Sequence, residues 1–266
     1  ARARYAAEQG VRSAWYGAQM TAARRSASGF NRPGEPKFAP SRGTPDMAAL
    51  RKAYFNLFIQ DRLNVEAGLY PAPNDLRLRD LPNALKSARA FREDVAEVDR
   101  RRQSRDGTEI RQDLPENSNR YPEYYTQNFH YQTGGWFTDE SADLYDTQVE
   151  ALFTGTADAM RRAALAEISR ELKGRDQRTV NLLDLAPSYT DAARKRLSHW
   201  PQVGILHEAA EAVPLPDAGK DIVVSVFLFH ELPPDVRGKV LAEVSRILKP
   251  GGLFILSDST QFGDYP

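Results

Sequence analysis

The chain has 266 residues, 41% apolar and 27% charged, which is the balance of a soluble globular protein able to bury a substantial core. Its 36 lysines and arginines cancel 36 aspartates and glutamates, so no global field favours nucleic acid or an acidic partner. The lack of cysteine excludes disulfides and thiolate metal sites and fits the cytoplasm, and no apolar run approaches the ~20 residues that span a bilayer.

Charge is uneven along the chain: between Arg2 and Arg25 five arginines face one glutamate. That stretch is Ala-rich, with Tyr5, Val11, Trp15 and Met20 at loosely helical spacing, and its weak apolar stripe suits docking to another surface. Residues 26–46 are rich in Gly, Pro and Ser and read as a linker. Asp46 then caps a predicted helix with Met47, Leu50, Tyr54, Leu57 and Phe58 on its apolar face. A second predicted helix covers 82–102, with Leu85, Ala88, Phe91, Val95 and Val98 on one side. Residues 1–112 are therefore expected to form a mainly helical N-terminal region.

Residues 113–140 differ, placing six aromatics between Tyr121 and Trp136 among polar residues and a Gly-Gly pair. The segment is too irregular for a helix and too aromatic for a solvated linker, so it is expected to pack on something. Residues 141–173 read as one long helix, with Tyr145, Val149, Leu152, Phe153, Met160, Leu165, Ile168 and Leu172 facing inward. After Gly174 short apolar runs appear at 179–185, 203–207, 222–229 and 253–257, alternating with helical stretches at 190–199 and 235–248. In the last of these Val236, Val240, Leu241, Val244 and Ile247 form the buried face. Strands apolar throughout are covered on both sides, which predicts a mostly parallel sheet between helices. Residues 141–266 are expected to form this α/β domain.

Four sequence stretches give this half a specific resemblance. Asn181–Ala186 (NLLDLA), the run from Glu208 through Asp217 to Asp221 (EAAEAVPLPDAGKD), Phe227–Leu232 (FLFHEL) and Ile247–Asp258 (ILKPGGLFILSD) occur in that order over about 80 residues. Each is weak by itself, but together they resemble a class I S-adenosylmethionine-dependent methyltransferase, of the group that includes ubiquinone and menaquinone biosynthesis enzymes. The resemblance implies a Rossmann-like sheet, S-adenosylmethionine as cofactor, a small aromatic or lipophilic acceptor, and a tight Pro-Gly-Gly turn before the last strand.

The family's glycine-rich loop lets the backbone approach the cofactor without Cβ clashes. Here Asp184-Leu185-Ala186 fits the first strand, while Pro187 onward fits the helix after the second. The loop, its helix and the second strand have no counterpart, a gap of roughly 20–25 residues on the spacing of one such unit. Two explanations compete: residues omitted between Ala186 and Pro187, or a deletion that leaves a non-catalytic scaffold binding a protein or membrane surface through the N-terminal helices.

The resemblance assigns cofactor contacts to Asp184, Leu185, Ala186, Ala210, Glu211 and Phe227, with Tyr131 and Thr133 as lid residues from the aromatic segment. Ala209 stands where relatives carry Asp or Asn for the adenine, leaving that recognition to backbone near Ala210 and apolar contacts. Glu211 reads equally as a turn-capping residue. His230, leaving a strand at the carboxyl edge where open α/β sheets bind ligands, is the candidate base, with Glu231 orienting it; the competing reading is a structural histidine. No metal-ligand spacing and no phosphate-binding loop occurs in the sequence.

Overall fold

The computed structural model describes residues 2–26, 46–73, 81–104, 122–126, 139–185 and 190–258. It divides into two compact units: α1 to α4 with the start of α5 as far as Arg162, and the chain from Ala163 onward together with the turn Glu123–Thr126.

The first unit is helical, as expected for its sequence. It holds α1 (Arg2–Ser26), α2 (Met47–Glu66), α3 (Leu81–Ser104), α4 (Asp139–Leu152) and the first turns of α5 (Ala157–Leu172). Asp46 caps α2 as predicted, its carboxylate accepting from the Ala48 amide at 2.8 Å. The predicted linker between α1 and α2 lies outside the described residues. Ala23, Phe91 and Ala151 are buried together, with Met20, Val95 and Leu144 packed around them.

Much of this interior is polar, which the apolar spacing did not anticipate. Along α1 the buried positions are Tyr5, Gln9, Arg12 and Ala23, while the predicted Val11 is exposed. Arg12 pairs with Glu150 at 2.8 Å and Asp158 at 2.6 Å. Asp61 is 2% exposed and receives both arms of Arg162, at 2.8 and 2.9 Å, together with the Tyr5 and Tyr70 hydroxyls. Buried charges persist only with such partners, because desolvation is otherwise too costly. α2 turns Asp61 and Asn64 inward; of its predicted face Tyr54, Leu57 and Phe58 are half-buried while Met47 and Leu50 are exposed, as are Phe55, Ile59 and Leu63. Leu85 on α3 is likewise exposed.

The single helix expected over 141–173 is two helices. Thr154 and Gly155 take left-handed backbone, φ 54° and 83°, and the Gly155 amide donates to the Glu150 carbonyl at 2.7 Å. A Cβ at Gly155 would lie 3.1 Å from the Ser13 Cα, so the close approach of α1 demands glycine. The break rotates the buried face: Leu152 and Leu165 are exposed, and Ala151, Ala157, Ala159, Ala164 and Ala166 are buried.

The second unit contains a three-stranded parallel sheet of order β1 (Leu182–Leu185), β2 (Lys220–Val226), β3 (Leu248–Ser257). Between the strands lie α6 (Thr190–Leu197) and α7 (Pro234–Ile247). Along β2, Val223 faces a cluster with Val236, Val240, Val244 and Ile247 of α7; Ile222 and Val224 face Ala164, Ile168 and Leu172 of α5. Both faces of β2 are thus covered, as continuous apolar strands require, and each buried Ile or Val contributes about 1.5–3 kcal/mol of burial. Leu241, expected on the buried face of α7, is exposed.

Residues 203–207, predicted as a strand, do not pair with the sheet, and Val203 and Leu206 are exposed. In the doubly wound order 3-2-1-4-5-6 a third strand reaches the first only through the second. Among the described residues no strand lies on the outer side of β1. The predicted strands 179–185 and 222–229 are shorter than expected, since 177–179 and 229–231 are 3-10 turns. β3 begins at Leu248, so Pro250–Gly252 forms an irregularity within the strand and not a turn ahead of it. Gly251 has φ 77°, and a Cβ on Gly252 would stand 2.9 Å from the Lys249 carbonyl oxygen.

Candidate active site

All three strands run the same way, so their carboxyl ends share one edge. Open α/β sheets bind ligands there. Asp184 lies opposite Val224, and Val226 lies opposite Ser257. Phe227, Phe229 to Glu231, and Asp258 therefore follow directly from the strand ends.

Asp184 is exposed at the strand end, yet the protein around it partly desolvates its carboxyl and pushes it up to about 6. Among the described residues it has no hydrogen-bond or cation partner. Leu185 is buried against α7 and anchors the strand end. Phe227 is buried with φ 57°, a conformation rarely adopted by aromatic residues, and its amide donates to the Ser257 carbonyl at 2.9 Å.

His230 is held through both ring nitrogens. Nδ1 lies 2.5 Å from Asp258 Oδ1 and Nε2 lies 3.0 Å from Glu231 Oε1. The other Asp258 oxygen accepts from the Phe229 amide at 2.6 Å. Burial pulls the imidazole down, but the bonds and charges of Asp258 and Glu231 outweigh it and push His230 up to about 9. At neutral pH the ring is an imidazolium with no lone pair to accept a proton. Glu231 does contact the ring, as expected. Asp258 was visible only as the end of a strand motif, and its approach to His230 depends on β2 and β3 being neighbours.

Glu211 and Ala210 border the same unit. The Tyr124 hydroxyl donates to the Glu211 carboxylate, and both Tyr124 and Ala210 pack on the α7 cluster. The expectation that the aromatic segment packs on something holds at this residue; Tyr131, Thr133 and Ala186 lie outside the described residues. Sequence reasoning also missed Arg246. Its guanidinium bonds Glu243, Asp217 and the carbonyls of Val213 and Leu215, tying the loop after Glu211 to α7. Among the described residues no group of three or more His, Asp or Glu could hold a metal ion, and no helix is long and apolar enough to cross a membrane.

Residues 164–256 match the protein family described as a methyltransferase domain. The three-stranded parallel sheet and the helices that cover it agree with the α/β fold of such a domain, so this part of the chain is similar to a methyltransferase domain. The chain is 32% identical over 110 residues to a demethylmenaquinone methyltransferase of Lysinibacillus sphaericus, covering 40% of this chain and 42% of that protein. It is 38% identical over 93 residues to a dimethylglycine N-methyltransferase of Parasynechococcus marenigrum, covering 34% and 32%. A carboxy-S-adenosyl-L-methionine synthase of Shewanella is 30% identical over 107 residues, covering 39% and 43%. The chain thus spans less than half the length of these relatives. No solved structure matches.

Proposed function

We propose that this chain transfers the methyl group of S-adenosylmethionine to a small acceptor, aromatic or lipophilic in character. The observation that carries the reading is Asp184. A carboxyl at the sheet's carboxyl edge, pushed up to about 6 by desolvation with no cation partner among the described residues, suits a ligand that brings positive charge. The cofactor carries an ammonium and a sulfonium, so the donor chemistry of the site fits it. Asp184, Leu185 and Ala186 would hold its amino-acid part, while Ala210, Glu211 and Phe227 border it, with Tyr131 and Thr133 as lid residues. When bound, the sulfonium supplies an activated methyl group for in-line displacement, so positioning and exclusion of water are the protein's main tasks. His230, already occupied on both nitrogens, is better suited to hold the site than to take a proton from the acceptor.

The matched relatives, two methyltransferases and a synthase of a cofactor derivative, support the methyl-transfer part of this reading. The test is calorimetric titration of the full-length protein with S-adenosylhomocysteine, followed by transfer of labelled methyl to phenolic and quinol acceptors. Micromolar binding is expected.

A second reading, a non-catalytic scaffold, is favoured by one observation. Only residues 186–189 join β1 to α6, too few for a glycine-rich loop, a helix and another strand. In that case the exposed Phe55, Ile59 and Leu63 of α2 would serve contact with a protein or membrane surface. No binding at millimolar S-adenosylhomocysteine would select this alternative.

A further inference from the structure

We propose that His230 is a positioning residue of this site: clamped between Asp258 and Glu231, it joins the carboxyl end of β3 to the turn leaving β2 and so fixes the backbone that carries Phe227. The proposal rests on the methyl-transfer reading only in the choice of reporting ligand.

Three contacts converge on the clamp. Asp258 grips the β2 exit twice, through the His230 ring at 2.5 Å and the Phe229 amide at 2.6 Å. Glu231 closes the other side of the ring at 3.0 Å. Phe227 stands edge-on to the His230 ring, centroids 6.4 Å apart, in left-handed backbone secured by Ser257. Strained conformations persist where surrounding structure over-determines them. The three side chains of the clamp are 9–13% exposed, so each carboxylate depends on the cation between them. Without the imidazole, Asp258 and Glu231 would confront each other as like charges.

Nitrogen-15 imidazole spectra of the full-length protein read the clamp directly. Of its four histidines, His230 is expected to show two protonated nitrogens at pH 7.5, and a neutral tautomer there would overturn the proposal. H230Q and D258N are each expected to weaken S-adenosylhomocysteine binding about tenfold, the double variant losing no more than the worse single; additive losses would count against a shared clamp. Should wild-type protein bind no S-adenosylhomocysteine, the cofactor reading fails on its own. The Phe227 amide resonance then decides, shifting in H230Q if His230 positions it and staying put if not. Should H230Q fail to fold, E231Q keeps the Asp258 bond and must lower the pH at which the ring loses its proton. An unchanged value rejects the clamp.

Discussion

The Tyr124 hydroxyl lies 2.8 and 3.0 Å from the two carboxylate oxygens of Glu211, a residue 87 positions further along the chain. One proton shared between two oxygens makes a charge-assisted bond, and burial followed by that bond raises the phenol above its ordinary value. The contact brings one described part of the aromatic segment beside Ala210, where the cofactor's adenine end is proposed to sit.

Tyr124→Phe removes this bond while keeping the ring's packing. It is expected to cost about 1–3 kcal/mol, the range for a part-buried hydrogen bond to a charged group. Urea unfolding measures the loss, and calorimetry should show weaker S-adenosylhomocysteine binding in the same variant. Unchanged stability would mean Glu211 finds water instead.

Asp184 sets a pH dependence. Its folded value of about 6 is raised, so the native state holds a proton that the unfolded chain gives up near 4. Stability from this group is present below that range and declines as pH rises towards 6. A ligand ammonium favours the carboxylate, so S-adenosylhomocysteine affinity should increase between pH 5 and about 7, with proton release on binding. Asp184→Asn should flatten that profile, which calorimetry in buffers of different ionisation enthalpy will show.

Asp221 works in the opposite sense. It accepts from the Asn181 amide at 2.9 Å, Lys249 at 2.8 Å and Arg175 at 3.1 Å, and these partners hold it down at about 2. Its contribution is present above the ordinary aspartate value and is lost as pH falls towards 2. Asp221→Asn should therefore melt below wild type at pH 7, the two melting curves converging as the pH is lowered.

Gly155→Ala places a side chain at φ 83° and against the Ser13 backbone. Strain of this kind costs about 1–3 kcal/mol. The loss should appear in thermal unfolding of the helical unit, with little change in cofactor binding. A neutral substitution would show that α1 can move away from the turn.

The helical character of α1 to α3, the Asp46 cap and the covered strand β2 were legible because each follows from spacing within one segment. The break at Thr154–Gly155 was missed because neighbouring turns kept helical periodicity on both sides. The polar interior beside α1 and α2 was missed for another reason. Asp61 and Arg12 are buried only because Arg162 and Glu150 arrive from distant segments to pair with them, and no local pattern announces such a partner. Residues 203–207 carry the composition of a strand, but composition cannot supply a neighbour to pair with.

The sequence by itself determined that the second half forms a parallel sheet wrapped in helices, since continuous apolar runs alternating with amphipathic ones have few other ways to leave water. It also placed Asp184 and His230 at strand ends. What they do there was decided only by tertiary structure. The adjacency of β2 and β3 brings the Asp258 carboxylate to the His230 ring across 28 residues, while Asp184 is left without a partner among the described residues. The protonation of a side chain depends on the charges around it, and those are set by which strands lie side by side.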